Sequence, residues 1–404
     1  MSAGRRMSSA NLHQAYLFCY PWDFADEGIE QLVGRARDLG VTHLAVASLY
    51  HAGFFFYPHN PRRKVHMLED GVAYYHPDPA CYPAGLAPQV AAVSRDRDLF
   101  GDICAAASRA GLGMCSWTVL LHNSRIGLAH PELTIHNAFG DSYPHALTPG
   151  HPTAAAFARG VIRDLSSRYP LDTIMLEAAD YRARAHGGDW VGGHHHERQG
   201  THLRELETAL LDVSFNPADM AGAERAGVDT AALRTAVRAH LEAYLAVAPD
   251  VPADLPDTLA AFRRLHPELD DYERTLAANE ARLLQEFRQE AEPHGVRLMG
   301  SADPSVQLVM GGAYGQPPER TRQIASDARA GLGDDQELIV LLRMGFYGGP
   351  QYGTPIVTEQ AMIDSVRSVA DAGAHAVGFY NYAEAPARCV DWIGPALRAA
   401  GLTS

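Results

Sequence analysis

Glu177 closes the run Leu171-Asp172-Thr173-Ile174-Met175-Leu176-Glu177. A short apolar and β-branched stretch running straight into a carboxylate has the pattern of a parallel strand buried on both faces, with chemistry at its C-terminal end. The competing reading makes Glu177 a solvated residue in the turn after the strand. Further polar residues sit at the ends of comparable runs: Cys19 and Tyr20, Ser48 and His51, His122 and Asn123, Asp180, Asp303, Arg343 and Tyr347, and Asn381, Tyr382 and Glu384. If these ends share one face, Glu177, Asp303 and Glu384 bring three carboxylates together with Arg343. Such a set suits general acid-base work on a polyhydroxylated substrate, with His51, His122, Asn123, Asp180, Tyr347, Asn381 and Tyr382 as binding groups. Arg343 is alternatively an ion-pair partner that only orients a carboxylate.

The elements that would position these residues follow from the apolar pattern. Eight runs stand out: Ala15–Tyr20, His43–Ser48, Met114–Leu121, Thr173–Glu177, Val296–Ser301, Val306–Met310, Glu337–Met344 and Ala376–Tyr380. Asp26 stands where it would cap a helix whose apolar residues Ile29, Leu32, Val33, Ala36 and Leu39 keep helical spacing, with Gly40 at the left-handed C-cap position. The helix-Gly-strand junction recurs at Gly111, Gly295 and Gly373. Repeated βα units in this number predict a (β/α)₈ TIM barrel, whose strand C-terminal ends form one active-site face. The fifth and sixth runs lie too close together for a helix between them. No glycine-rich nucleotide loop follows an early strand, which disfavours a dinucleotide-binding sheet.

Long connections follow three strands. Tyr50 to Val90 carries many aromatic residues with His51, His59, His66 and His76; it either walls a sugar site or pins a long loop to the barrel. His122 to Pro152 is a second mouth loop. Residues 181–272 read as a mostly helical insertion between strands 4 and 5 of a single 1–404 barrel domain, beginning with the Gly/His stretch Gly187 to His196. Its helices are expected over Leu203–Leu211, Thr230–Val247 and Tyr272–Ala291.

Several classes are disfavoured by composition. The chain of 404 residues has a formal net charge of -14, which argues against nucleic acid and against anionic membrane surfaces and points to a neutral or small partner. No run of roughly 18 apolar residues exists to span a bilayer. Arg5-Arg6 is not followed by a clean apolar export region. Five cysteines without a CxxC pair read as reduced core residues of a cytoplasmic protein. The adjacent His194, His195, His196 and Glu197 lack the helical spacing of a zinc site.

Four segments, Glu177 at the fourth strand end, Trp117 to Asn123, the Leu147-Thr148-Pro149 turn and Phe379-Tyr380-Asn381-Tyr382, together resemble bacterial glycoside-hydrolase-like TIM-barrel proteins over most of the chain. The resemblance implies a barrel acting on a carbohydrate or glycoside, with an acid/base after strand 4 and a nucleophile after strand 7. Here the seventh run ends Leu341-Leu342-Arg343-Met344-Gly345, so a second carboxylate must come from Asp303, Asp180 or Glu384, or be absent. Glu177 is then expected to be the acid, with no cofactor. Glu177, Asp303 and Glu384 also resemble the ligand layout of xylose-isomerase-like barrels, which implies a divalent-metal-dependent sugar isomerase or epimerase as an alternative. A non-catalytic carbohydrate-binding barrel is the third class.

Overall fold

The computed structural model describes residues 12–181, 200–345 and 358–402. All eight apolar runs form strands: β1 (Gln14–Cys19), β2 (His43–Tyr50), β3 (Gly113–Val119), β4 (Thr173–Glu177), β5 (Arg297–Gly300), β6 (Leu308–Gly312), β7 (Glu337–Arg343) and β8 (Ala376–Tyr380). Each pairs in parallel with its sequence neighbours, and β1 pairs with both β2 and β8, so the sheet closes on itself as a (β/α)₈ barrel.

Why the runs are continuously apolar follows from this closure, because both faces of every strand are buried. Tyr16, Phe18, Ala45, Ala47, Cys115, Trp117, Met175, Met299, Leu308, Ile339, Leu341 and Ala376 fill the barrel interior. The alternate residues, among them Leu17, Val46, Met114, Ile174, Leu298, Val340 and Val377, pack outward on the helices. Gly378 leaves room for that interior: a Cβ there would stand 2.5 Å from Leu341 Cδ2 and 3.0 Å from Phe18 Cε2.

All four predicted junction glycines have positive φ, between 73° and 80°, the left-handed turn from helix to strand. The cap expected at Asp26 is corrected. Gly28 precedes the helix Ile29–Asp38, while Asp26 lies in the short helix Pro21–Glu27 and accepts hydrogen bonds from Arg63 and Asn60. Between β5 and β6 there is no helix. Gln336, at the foot of β7, donates to the backbone oxygens of Asp303 and Val306 and holds this connection down.

Over the C-terminal ends, the segment after β2 forms the hairpin Phe54–Phe56/Val65–Met67 and a short strand Val72–Ala73 antiparallel to β2. The segment after β3 forms the hairpin Thr134–His136/Ser142–Leu147. After β4 come the helices Glu205–Asp212, Pro217–Arg225, Thr230–Val247, Leu259–Leu265 and Glu268–Ala291. They bury a core of their own that includes Leu206, Leu210, Phe215, Leu233, Val237, Leu241, Phe262, Leu269 and Tyr272. Asp219 fastens this group to the barrel top. Its carboxylate accepts from the hydroxyls of Thr148 (2.8 Å), Ser214 (2.6 Å) and Tyr181 (2.7 Å), and burial pushes its pKa above the usual carboxylate range.

Candidate active site

β3 and β4 run in register, with Trp117 opposite Met175 and Val119 opposite Glu177. Residues two apart on a strand face the same way, so Trp117 and Glu177 both point into the barrel. The indole Nε1–H of Trp117 donates to Glu177 Oε2 at 2.5 Å. Trp117 is itself wedged among Tyr50, Tyr20, Phe18 and Tyr380, with ring centroids 5.0 to 5.6 Å away. A donor fixed on every side sets the orientation of the carboxyl it bonds. The chain turns away immediately afterwards, as Ala178 takes a left-handed φ of 51°, unusual for a residue with a Cβ.

Tyr314, four residues into the stretch that follows Met310, reaches the same space. Its phenol is pushed up by burial and by the charge of Glu177, with Arg343 opposing. Arg343 ends β7 almost fully buried, its guanidinium 5.2 Å from the Tyr314 ring centre and 5.7 Å from that of Tyr380. Planar aromatic faces are a favourable seat for a planar cation.

On the β1–β8 side, Glu384 Oε1 accepts from Tyr20 Oη–H at 3.2 Å and from Asn381 Nδ2 at 3.4 Å. The Tyr20 and Tyr50 hydroxyls are 3.3 Å apart. Burial, the neighbouring phenols and Glu384 all raise the Tyr20 pKa, so its hydroxyl keeps its proton. Asp23, also buried, accepts from Tyr20 N–H at 2.8 Å, and desolvation lifts its carboxyl well above the usual range. Thus Glu177 and Glu384 lean on the same aromatic cluster, one through Trp117 and one through Tyr20, whose rings are 5.1 Å apart. His51 stacks on Tyr50 and on His122 (4.7 Å), and His122 approaches His145 (5.5 Å).

Other predicted site residues are placed differently. Asp303 does not converge with Glu177: its carboxylate accepts from Ser305 N–H, and its loop lies against Arg288 of the helix Glu268–Ala291. The short β5–β6 connection drops straight down the outer wall, which carries Asp303 away from the mouth. Tyr382 faces outward into the helix layer, donating to Glu27 and accepting from Arg35. Asn123 is a helix cap, its Oδ1 accepting from Ile126 N–H, packed so closely on Gly71 that a Cβ there would clash. Asp180 is half-buried in the turn leaving β4. Tyr347 and the Gly187 to His196 and His194 to Glu197 stretches lie outside the described residues. Among the described residues no three His, Cys, Asp or Glu side chains are grouped as a metal would require, so the Glu177, Asp303, Glu384 ligand set does not form.

Sequence reasoning passed over Trp117, Tyr314, Asp23 and His145 as site residues. For Trp117 a signal existed: strand parity with Val119 puts it inside the barrel, and a buried indole N–H needs an acceptor. For Tyr314 and His145 none did, because Tyr314 lies in a loop and His145 in the hairpin strand Ser142–Leu147, and only the fold sets where either segment runs.

No protein-family model matches the sequence, and no curated protein matches it. Solved structures do. The chain is similar to the glycoside hydrolase domain of PgaB (BpsB) from Bordetella bronchiseptica, at 13% identity and a TM-score of 0.53, covering 91% of this chain and 94% of that one. It is also similar to an α-L-fucosidase isoenzyme 2 from Paenibacillus thiaminolyticus (13% identity, TM-score 0.54, 96% of this chain and 49% of that one). A third is a β-galactosidase from the psychrophilic Marinomonas ef1 (11%, TM-score 0.55, 95% and 59%). At such identities the likeness establishes the barrel fold that this chain shares with them.

Proposed function

We propose that the protein is a glycoside hydrolase-like enzyme acting on a carbohydrate or glycoside, with Glu177 as the proton donor to the departing glycosidic oxygen. The observation that carries this reading is the Trp117–Glu177 pair: a carboxyl at the C-terminal end of β4, oriented by a buried indole inside an aromatic mouth. That three similar barrels are named as glycosidases or glycoside hydrolase domains agrees with it. Glu384, held by Tyr20 and Asn381, serves as the second carboxylate and faces the positive charge that develops on the sugar ring. Aromatic faces of the mouth stack on the C–H faces of the sugar, and His51, His122 and Arg343 supply polar contacts to its hydroxyls. The isomerase layout is not favoured, since Asp303 stands outside the mouth.

Glu177→Gln should slow hydrolysis of a glycoside with a poor leaving group by about 10²- to 10⁴-fold, while one with an activated leaving group, which needs no proton, is far less affected. Equal losses on both substrates would remove the acid role. Unchanged ligand affinity in a protein with no turnover on either would favour the non-catalytic binding barrel.

A further inference from the structure

The hairpin after β2 has two apolar faces. Its strands pair Phe54 with Met67, Phe55 with His66 and Phe56 with Val65. Phe55 and His66 turn inward, Phe55 against Tyr20, Tyr50 and Tyr57 and His66 against Trp22. The other face points into solvent: Phe54 is 69% exposed, Phe56 63%, Val65 53% and Met67 70%. Four large apolar residues side by side on an exposed two-stranded ribbon form a contiguous patch, and such patches mark interaction sites.

Charge says what covers it. From Gly53 to Leu68 the sequence holds Arg62, Arg63 and Lys64 and no Asp or Glu, in a chain of net charge -14. Arg63 is matched by Asp26, whereas Arg62 and Lys64 are exposed at the tip beside the apolar face. Glu69 and Asp70 follow at the open end of the ribbon, where they accept from Ala92 N–H and Ala52 N–H. Screening confines electrostatics to about 8–10 Å, so at the tip the excess of Arg62 and Lys64 decides the partner rather than the net charge of the chain.

We propose that the Phe54–Met67 hairpin docks the protein on an anionic phospholipid surface. Phe54, Phe56, Val65 and Met67 enter the headgroup–acyl boundary, and Arg62 and Lys64 lie among the headgroups. Apolar insertion and cationic attraction together give the two signals that stable surface binding requires. No described helix is long and apolar enough to cross a bilayer, so the contact is with the surface. A second copy of the chain is a poorer occupant, since the patch offers on the order of 500 Å² where a stable interface buries roughly 800 Å² per partner. A glycan is poorer too, since Val65 and Met67 have no ring on which a sugar can stack. Because Phe55 on the inner face touches the mouth aromatics, docking would set the mouth beside the membrane; the inference stands independently of the glycosidase reading.

The test is sedimentation of the full chain with vesicles of phosphatidylcholine containing about a third phosphatidylserine, against pure phosphatidylcholine. Binding should favour the anionic vesicles and weaken with salt. Arg62→Gln with Lys64→Gln should lower the partition coefficient about 25-fold, roughly fivefold per cation. Phe54→Ser with Phe56→Ser should lower it by about tenfold or more without shifting the thermal melt. Phe54→Trp should add a blue-shifted component to the emission when the anionic vesicles are added. The proposal is overturned by no partition onto anionic vesicles, by partition that neither pair alters, or by a solvent-like indole contribution from the Phe54→Trp variant at saturation. Sedimentation velocity showing a dimer that Phe54→Ser/Phe56→Ser dissolves, without vesicle binding, would hand the face to a second copy; retention on an anionic polysaccharide alone would hand it to a glycan.

Discussion

A carboxyl oriented by one fixed donor is sensitive to that donor. Trp117→Phe deletes the N–H toward Glu177 and keeps most of the ring that Tyr20, Tyr50, Phe18 and Tyr380 pack against. Under the glycosidase reading we expect kcat to fall by about 10- to 100-fold with KM nearly unchanged, since a loosened catalytic group costs rate more than binding. Steady-state kinetics beside a thermal melt separates this from unfolding; a fall in Tm large enough to account for the loss would make Trp117 merely structural. Tyr20→Phe tests the other carboxylate in the same manner, because it removes the hydroxyl that Glu384 accepts from. Trp117 opens one of the segments that carry the resemblance and Tyr20 stands at a strand end, but neither position marks its residue as a carboxylate donor. Glu177 was legible in the sequence because it ends an apolar run, whereas its dependence on Trp117 follows from the pairing of β3 with β4.

Strands and inserted helices carry their own consequences. A methyl at Gly378 would meet Leu341 and Phe18 inside the barrel, so Gly378→Ala should cost about 1–3 kcal/mol in urea unfolding, the penalty of overpacking. Asp219 ties Thr148, just past the β3 hairpin, and Tyr181 after β4 to Ser214 and the inserted helices, with hydroxyls as its partners. Its folded pKa lies above its unfolded one. The group therefore contributes stability that is fully present below the unfolded carboxyl pKa and is lost as pH rises through the folded one. Relative to Asp219→Asn, which cannot ionise, the wild type should lose stability as pH is raised across that window, with no residual slope from this site in the variant. Urea titrations at stepped pH check the sign; a difference that grows with pH would contradict it. The sequence located three of the five helices described after β4, with Thr230–Val247 as predicted, Glu205–Asp212 two residues later than the start expected at Leu203 and Glu268–Ala291 starting four residues before Tyr272, and passed over Pro217–Arg225 and Leu259–Leu265. It did not reveal the clamp, because Thr148 and Tyr181 reach Asp219 and its near neighbour Ser214 only after the chain has folded back over β4.

At the scale of the molecule, two cores coexist: the barrel with its helix layer, and the smaller core of the inserted helices. Hydrogen exchange should find the amides of Leu233, Val237 and Leu241 opening together at lower free energy than those of β3, β4 and β7, since the smaller core buries less. Uniform protection across both would mean one cooperative unit. The sequence by itself determined the eight strands, their parallel order and the βα rhythm, because a strand buried on both faces must be apolar throughout and a helix must end in a left-handed turn before the next strand. It also determined that Glu177 stands at a strand end. Only the tertiary structure decided which strand-end residues share the mouth. Beyond the end of β8 the chain abandons strand alternation and turns Tyr382 outward, although Tyr380 two residues earlier faces in; a helixless connection carries Asp303 down the outer wall, and a cap claims Asn123. The physical reason is that apolar periodicity encodes which faces are buried locally, while the direction of a polar side chain in a loop is set by long-range contacts that no local pattern records.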